Sequence, residues 1–524
     1  MLRAIAGALT LLILAIASPI RAQQKVVWRY AADTDIAQFQ QTPLGSLVVA
    51  AGTNLTSLDP ATGAPTWSIS DSISFAGRRL QMLPLTPYLW LTGSDGTGVI
   101  DLQHGIWKWR AASPTLGTSR GTLFVPEKLV VLEYVVEDEA HPVLQAIDVE
   151  TGHMRWQLDT VLAHAPPSIE VRCCGDRKLE TIEGNQPPYF DGDSTLVLWI
   201  TQDGPIGVNV TTGAVLWKAT WLRDKRPPAT SDGYARMLDA AGVLYVPYEN
   251  SLMAIKLRDG TVAWEKPREY RSHIAQMRLV RQGLLVRGAS GPKDGGFLHR
   301  PVLEVLDAKT GAPLWKEAFT DLSKSTPFIV RGDTAYLSVE AHSLFSGTHQ
   351  KLMAIALDSG RSREVVNFQF RGDEWPAAIQ SRPSGIVLMS SQNVLMVDSV
   401  GLIRYQTYFR APQASALKRF GLAALVIAAD VAISYGSQGP NLMMIPGIDT
   451  RYRASVEMER YMFIRTPLPD SLGDEVQGFV RVDKDTGKDN GRAAIGVKTG
   501  YSIDEVDGRV YYLAKPRELV ALRF

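Results

Sequence analysis

The sequence predicts an all-β fold, a β-propeller of eight to ten four-stranded blades, and two observations carry this prediction. A ten-residue phrase, first seen as Leu58-Asp-Pro-Ala-Thr-Gly-Ala-Pro-Thr-Trp67, recurs at intervals typical of propeller blades. Short apolar runs lie between its copies, such as residues 46–51 and 242–247. They are rich in β-branched and aromatic residues and too short for helices, so they are predicted to be inner strands.

The phrase is best preserved in six copies, in which a glycine stands four residues before a tryptophan. These glycines and tryptophans are Gly63 and Trp67, Gly105 and Trp109, Gly152 and Trp156, Gly213 and Trp217, Gly260 and Trp264, and Gly311 and Trp315. Weaker copies end at Gly360, Gly401 and Gly487. The interval from Gly401 to Gly487 is almost twice the usual step, which indicates an insertion there.

Each conserved element of the phrase has a structural role. Aspartate and threonine side chains bond nearby backbone N–H groups in turns, and glycine adopts a positive φ without steric cost. The tryptophan is expected to pack between neighbouring blades, where its indole N–H can reach a carbonyl. We therefore interpret Asp59, Asp101, Asp148 and Asp307 as turn residues of successive blades, not as paired catalytic carboxylates.

The two ends of the mature chain are expected to share one blade. Residues 25–30 read as a lone outer strand, and residues 509–513 and 518–524 read as a blade without its outer strand. Their pairing would remove two exposed sheet edges. Nine copies of the phrase and this shared blade make ten units, whereas propellers usually have four to eight blades, so the expected number is eight to ten.

The phrase resembles the tryptophan-docking repeat of the pyrroloquinoline-quinone-like β-propellers. That superfamily includes quinoprotein alcohol dehydrogenases and the non-enzymatic outer-membrane assembly lipoprotein. The resemblance covers roughly Leu58 to Gly487, which is nearly all of the mature chain. It implies the fold but not a cofactor, because members that bind no quinone share the repeat.

Composition and charge exclude several classes of protein. The chain has 524 residues, of which 45% are hydrophobic and 21% charged, so it can bury a large core and has no bias toward disorder. Lys and Arg number 55, against 54 Asp and Glu. Without a basic stripe or an acidic tail, nucleic acid is not an expected partner.

The N-terminus predicts export. Residues 1–22 form a signal peptide, with Arg3 in a positive start, an apolar stretch from Ala4 to Ser18 and a small residue, Ala22, at the cleavage site. A signal anchor is the alternative. No cysteine follows the apolar stretch, so we expect a periplasmic or secreted protein without a lipid anchor. The propeller is then residues 23–524.

A hydrophobic helical insertion is predicted at residues 412–450. Its apolar core, from Phe420 to Ile433, is 14 residues long and too short to span a bilayer. One interpretation is a helix that covers an end or edge of the propeller. The other is an interfacial element whose Phe420, Leu422 and Leu425 contact a membrane or a partner.

Cys173 and Cys174 are the only cysteines, and they are the remaining candidates for chemistry. In an exported protein they would tend to form a strained vicinal disulfide with each other. In quinoprotein dehydrogenases such a pair lies against the quinone, so the resemblance implies a cofactor-binding role for both cysteines. The alternative is a structural role, in which the two cysteines form a loop disulfide or remain as thiols between blades.

Two functions follow from these observations. The first is an exported, non-enzymatic propeller that binds a protein or envelope partner as a scaffold, with peripheral membrane contact as a further option and no cofactor or metal. The alternative is a dehydrogenase of alcohols or sugars that uses pyrroloquinoline quinone with calcium. The sequence does not identify the calcium ligands or catalytic aspartate that the alternative requires, and it contains no common hydrolase, phosphate-loop or zinc motif.

Overall fold

The computed structural model confirms an all-β propeller, and it has ten blades. The structure describes residues 25–83, 86–93, 96–112, 118–125, 130–136, 142–159, 189–190, 194–200, 204–223, 225, 237–288, 301–320, 322, 325–343, 347–410, 460–469, 475–495, 500–504 and 506–524. The predicted signal peptide (residues 1–22), Cys173, Cys174 and the predicted insertion at residues 412–450 lie outside these ranges.

The first three complete blades follow the strand β1 (Lys25–Ala31). Blade 1 contains β2 (Ile36–Gln41), β3 (Leu47–Ala51), β4 (Asn54–Leu58) and β5 (Pro65–Ser70). Blade 2 contains β6 (Arg79–Met82), β7 (Tyr88–Gly93), β8 (Gly96–Asp101) and β9 (Ile106–Ala112). Blade 3 contains β10 (Thr118–Val125), β11 (Val130–Val136), β12 (Pro142–Asp148) and β13 (Met154–Asp159).

Blades 4 to 6 continue the same pattern. Blade 4 contains β14 (Tyr189–Phe190), β15 (Thr195–Ile200), β16 (Gly204–Asn209) and β17 (Val215–Lys218). Blade 5 contains β18 (Leu238–Ala240), β19 (Val243–Tyr248), β20 (Ser251–Lys256) and β21 (Arg268–Glu269). Blade 6 contains β22 (Ile274–Val280), β23 (Gly283–Gly288) and β24 (Leu303–Leu306), and isolated bridges at Pro313 and Phe319 stand in for its fourth strand.

The last four blades complete the ring. Blade 7 contains β25 (Ile329–Arg331), β26 (Thr334–Ser343), β27 (Gly347–Ala356) and β28 (Ser362–Phe368). Blade 8 contains β29 (Ala378–Arg382), β30 (Gly385–Met389), β31 (Asn393–Asp398) and β32 (Ile403–Tyr408). Blade 9 contains β33 (Tyr461–Pro469), β34 (Glu475–Asp483) and β35 (Asp489–Ala494). Blade 10 contains β36 (Tyr501–Asp504), β37 (Arg509–Lys515), β38 (Glu518–Arg523) and β1.

Blades 6 and 9 differ from the four-stranded prediction in opposite ways. Blade 6 keeps its first three strands and lacks a regular fourth. In blade 9 the repeat turn ending at Gly487 joins β34 to β35, which makes them the third and fourth strands. Among the described residues, blade 9 therefore has its second, third and fourth strands.

Pairing of the two ends of the chain closes the ring, as predicted. Strand β1 is antiparallel to β38, with Arg29 opposite Val520 and Ala31 opposite Glu518. The first strands of adjacent blades contact each other where β18 meets β22, β25 meets β29 and β2 meets β36. The first strand of a blade therefore lies innermost, and the fourth lies at the outer edge.

The hydrophobic core lies between blades. On β3, Leu47 and Val49 pack toward blade 10, whereas Val48 and Ala50 pack toward blade 2. This alternation follows from the two-residue period of a strand, because successive side chains point to opposite faces of the sheet. Strands such as β3 are apolar on both faces and buried throughout, which explains the continuous apolar runs in the sequence.

The propeller has two faces that differ in their loops. The repeat face carries the hairpins between the third and fourth strands, such as residues 59–64, and those between the first and second. The connection face carries the links from blade to blade, such as residues 71–78. In the described part of the chain the helices are three single 3-10 turns, Phe75–Gly77, Thr220–Leu222 and Arg371–Asp373, and none is long and apolar enough to cross a membrane.

Candidate binding surfaces

The six repeat tryptophans lie at the junctions between consecutive blades. Each lies on the outer strand or outer segment of its blade, and its ring covers the repeat glycine of the next blade. A Cβ atom added to Gly105 would lie 2.4 Å from the ring of Trp67, and Gly105 has φ +64°. Only glycine combines this backbone angle with so close an approach.

Every indole N–H also bonds the next blade, at the carbonyl three residues before that blade's repeat glycine. The pairs are Trp67 with Leu102 (2.9 Å), Trp109 with Val149 (2.7 Å), Trp156 with Val210 (2.7 Å), Trp217 with Leu257 (2.7 Å), Trp264 with Ala308 (3.0 Å) and Trp315 with Leu357 (2.9 Å). The accepting carbonyl belongs to the repeat turn. The same turn therefore packs against the tryptophan ring and accepts the hydrogen bond from its indole N–H.

Two further aromatic residues occupy the same position, and sequence reasoning missed both. Trp28 of β1 covers Gly63 and donates to the Pro60 carbonyl at 2.9 Å. Tyr405 covers Gly487 and donates its hydroxyl hydrogen to the Lys484 carbonyl. Tyr405 stands four residues after Gly401, which was a usable signal. Trp28 has no preceding glycine because the strand before it in the sheet, β38, is at the other end of the chain.

The turn aspartates hold the backbone of the repeat hairpins. One oxygen of Asp59 accepts the N–H groups of Ala61 and Thr62 at 2.9 and 2.8 Å, and Asp307 accepts those of Lys309 and Thr310 at 2.8 Å each. Asp101 and Asp148 make the same pair of bonds in their own turns. These carboxylates are occupied by the backbone of the turns.

The junction between blades 7 and 8 has no docked aromatic ring. The atoms nearest to Gly401 belong to Val365, whose carbonyl would lie 3.1 Å from an added Cβ. A polar network on the connection face joins these blades instead. The Glu374 carboxylate accepts from Ser390 Oγ at 2.5 Å, Asn393 Nδ2 at 2.8 Å and the Gln392 N–H at 3.0 Å.

The same network reaches back into blade 7. The Glu374 carbonyl accepts from Gln350 Nε2 at 2.9 Å, and Gln350 Oε1 accepts the Phe370 N–H at 3.0 Å. Gln350, Ser390 and Asn393 are buried. Because buried polar groups need partners, this network fixes the two blades relative to each other.

Exposed apolar side chains collect at one position of the repeat. Of the twelve large hydrophobic residues that are exposed in the described part of the chain, ten lie where an outer strand begins, beside the repeat turn. They are Val26, Ile106, Met154, Val215, Leu216, Val262, Leu314, Val400, Leu402 and Ile403. They come from seven blades and lie at the outer margin of the repeat face, so we call them the apolar rim.

The rim is densest in blade 8. Val400 is 77% exposed and Leu402 is 64% exposed, with Ile403 beside them at the start of β32. Strand β32 pairs only with β31 among the described strands, so its outer edge also presents backbone N–H and C=O groups. Blade 8 therefore combines apolar side chains with an available strand edge.

The predicted chemical sites are not brought together by the described residues. Cys173, Cys174, Phe420, Leu422 and Leu425 all lie outside the described ranges. Within those ranges, no three His, Cys, Asp or Glu side chains come together in a group that could hold a metal ion.

Comparison with known proteins supports the family resemblance. The family model described as outer membrane protein assembly factor BamB matches residues 202–399, which run from the end of blade 4 into blade 8. A comparison with curated protein sequences gives no match.

Three solved structures illustrate the similar folds. BamB from Moraxella catarrhalis is 12% identical, with 85% of this chain and 96% of that chain covered and a TM-score of 0.34. Dihydro-heme d1 dehydrogenase NirN in complex with DHE is 12% identical, with 94% and 84% covered and a TM-score of 0.34. A europium-containing methanol dehydrogenase is 12% identical, with 74% and 81% covered and a TM-score of 0.32.

The matched segment contains the repeat turns of blades 4 to 7, and the described chain forms ten blades. The described chain is therefore a ten-bladed β-propeller, and over residues 202–399 its sequence is similar to the family described as outer membrane protein assembly factor BamB.

Proposed function

We propose that this protein is an exported, non-enzymatic propeller that acts as a binding or scaffold module for a protein partner in the cell envelope. The observation that carries the proposal is the apolar rim. Single exposed apolar residues are ordinary on protein surfaces, but contiguous or patterned ones mark interaction sites. Here the same margin of the ring is apolar in seven blades, although folding requires only the docked ring and the turn.

Blade 8 is the proposed centre of the contact. Val400, Leu402 and Ile403 lie at the start of β32, whose outer edge is available for pairing. A partner in extended conformation can add a strand to such an edge, so that backbone bonds supply affinity and apolar side chains supply specificity. Blade 8 is also the blade before the predicted 412–450 insertion, which would bring a second contact surface next to the first.

The proposal is tested by placing a photoactivatable crosslinker at Leu402 in cells that express the protein naturally. We expect a discrete crosslinked product, and we expect the paired substitutions Val400→Glu and Leu402→Glu to abolish it while the melting temperature is unchanged. A crosslinker at the exposed turn residue Thr310 of blade 6 is the matched control. Equal products from Thr310 and Leu402, or none from Leu402, would refute a contact at the rim.

The insertion is tested separately. Under the interfacial interpretation Phe420, Leu422 and Leu425 contact the membrane, so deleting residues 415–445 should release the protein from the membrane fraction. Under the covering interpretation the deletion should leave membrane association unchanged and lower the melting temperature. Fractionation of the same cells, with sequencing of the mature N-terminus, tests export and cleavage after Ala22.

The alternative function, quinone-dependent oxidation of an alcohol or sugar, has a direct assay. The purified protein is incubated with calcium and pyrroloquinoline quinone. Our proposal expects neither a protein-bound quinone absorbance nor dye-coupled oxidation of alcohols. Both signals together, and their loss when Cys173 and Cys174 are replaced by serine, would overturn the proposed function.

A further inference from the structure

Blade 2 contains a small cavity. It has a volume of about 130 Å³, and its lining includes Arg78, Arg110, Trp107, Thr97 and Ala111. The cavity opens on the connection face side of β8 and β9, away from the repeat turn. This volume is enough to hold a small group such as a carboxylate or a phosphate.

The cavity carries a positive charge among its described residues. The Asp71 carboxylate accepts from Arg78 Nη1 at 2.8 Å and from Arg110 Nη2 at 2.9 Å through the same oxygen. Its other oxygen accepts the Ser72 N–H at 2.7 Å. Two guanidinium groups therefore share one negative charge, and Asp71, which is itself buried, holds both of them at the cavity.

One wall of the cavity is a rigid aromatic ring. The Arg110 guanidinium lies over the ring of Trp107, 4.4 Å from its centroid. The ring lies against Gly98, where an added Cβ would be 2.8 Å from Trp107 Cζ3 and 2.9 Å from the Trp109 carbonyl. Gly98 therefore allows the indole to lie flat on β8, and the indole in turn orients Arg110.

The repeat does not require these side chains. Trp107 stands two residues after Gly105, and the corresponding residues after the other five strong repeat glycines are Pro65, Met154, Val215, Val262 and Pro313. Arg110 stands five residues after Gly105, where blade 1 has Ser68 and blade 3 has Gln157. Docking in blade 2 is carried out by Trp109, so Trp107 has no docking role.

We propose that this cavity is a binding site for a small oxyanion, a carboxylate or phosphate group held between Arg78 and Arg110. Planar guanidinium groups offer several N–H donors to an oxyanion, and charge-assisted bonds of this kind are about twice as strong as neutral ones. Trp107 contacts the carbon atoms attached to a carboxylate or phosphate ester. The largely buried Arg78 needs no rearrangement to act, because Asp71 already fixes it.

The test uses the full protein labelled with 5-fluorotryptophan and followed by fluorine NMR. The substitution Trp107→Phe identifies the Trp107 resonance by its loss. Sodium acetate and sodium phosphate are titrated separately, with sodium chloride keeping the ionic strength constant. We expect a saturable shift of the Trp107 resonance with at least one of the two anions. A shift with acetate alone assigns a carboxylate, and a shift with phosphate alone assigns a phosphate group.

Two substitutions separate binding from general charge effects. Arg110→Gln should weaken the anion about tenfold, which corresponds to the loss of one charge-assisted bond of about 1.4 kcal/mol. Arg404→Gln is the matched control, because Arg404 also lies exposed on an outer strand and bonds a buried carboxylate, that of Asp398, at 2.8 Å. The Arg404→Gln variant should bind the anion as tightly as the unaltered protein does.

A third substitution tests the cavity itself. Ala111→Leu adds bulk at an exposed lining position without changing any charge, and it should block the shift while the melting temperature is retained. The proposal is overturned if neither anion shifts the Trp107 resonance, if Arg110→Gln and Arg404→Gln weaken binding equally, or if Ala111→Leu leaves the affinity unchanged.

Discussion

Blade 7 has two different neighbours, and its two junctions are built on different physical principles. Toward blade 6 it receives Trp315, whose buried ring covers Gly360 and whose indole bonds the Leu357 carbonyl. Toward blade 8 it presents Val365 to Gly401 and depends on the hydrogen bonds of Glu374. A docked aromatic ring stabilises a junction mainly through the apolar surface area that it buries. A polar network stabilises a junction only when each of its buried polar groups has a hydrogen-bond partner.

The comparison shows that the repeat glycine and the docked ring are separable. Gly401 retains a positive φ of +94° although no ring lies on it. The glycine therefore belongs to the turn, and the ring is an addition to it. This is why the weaker copy of the phrase at Gly401 still builds a four-stranded blade.

The largest effect is expected where docking and closure coincide. Deleting residues 25–31 removes the outer strand of blade 10 and the docked ring of Trp28. The free energy of unfolding should fall by more than the about 3–5 kcal/mol typical for loss of one buried tryptophan. Denaturant titration measures it, with Trp28→Ala as the smaller, matched change. An unchanged melting temperature of the deletion variant would contradict ring closure by β1.

The two junctions of blade 7 should respond very differently to truncation. Trp315→Ala empties a buried site and is expected to cost about 3–5 kcal/mol. Val365→Ala, at the equivalent place in the next junction, removes two methyl groups from a half-buried side chain and should cost about 1 kcal/mol or less. Urea denaturation of both variants checks the order. Equal losses would mean that both junctions depend on the same kind of contact.

The polar junction should be sensitive at Glu374. Glu374→Ala removes the acceptor of the buried Ser390 hydroxyl and of the Gln392 N–H, and unpaired buried groups cost about 1–3 kcal/mol. We therefore expect a larger loss of stability than for Val365→Ala. Glu364→Ala, on the exposed outer strand of the same blade, is the control and should change stability little. If the control were as damaging, the network would not be what joins blades 7 and 8.

The smallest effect concerns the turn that receives a docked ring. The backbone N–H of Thr310 holds the pKa of the Asp307 carboxyl below its ordinary value of 3.8. A carboxyl with a lowered folded-state pKa stabilises the protein above its unfolded pKa, and the contribution is lost as the pH falls through the folded-state value. Asp307→Asn should thus reduce the loss of stability as the pH falls below the ordinary carboxyl pKa of 3.8.

Blade 4 supplies the control for this prediction. Asn209 accepts the N–H groups of Thr211 and Thr212 at 2.9 Å each, so an amide oxygen can hold the same turn without a charge. At neutral pH, Asp307→Asn should therefore be nearly as stable as the unaltered protein, and Asn209→Asp should make the acid dependence steeper. Acid titrations followed by circular dichroism measure both. Identical acid profiles in all three proteins would exclude the turn carboxylates as the cause.

The fold could be predicted from the sequence because its signals are local and repeated. The turn, the glycine and the tryptophan lie within ten residues of one another, so each copy of the phrase predicts one blade. The pairing of the chain ends was also predictable, since both ends contain unpaired strand patterns. The docking of Trp28 was not, because no repeat glycine precedes it: the strand that pairs with its own, β38, lies at the other end of the chain.

The candidate sites were less accessible to sequence reasoning. Asp71 and Arg110 stand in different blades, and no local pattern relates them. The apolar rim is visible only once exposure is known, since Met154 and Val262 read as ordinary strand residues. Cys173, Cys174 and the 412–450 insertion remain predictions, because they lie outside the described residues.

The seam between β1 and β38 has a consequence for how the molecule is assembled. Arg29 and Glu518, which bond each other across it, are 489 residues apart in the chain. Strand β1 must stay unpaired until nearly the whole polypeptide has been made. Closure of the ring therefore depends on a contact between residues that are very far apart in the sequence. At high concentration a vacant β38 edge can accept β1 from a second molecule, and the seam is the place where this ring can exchange strands between copies.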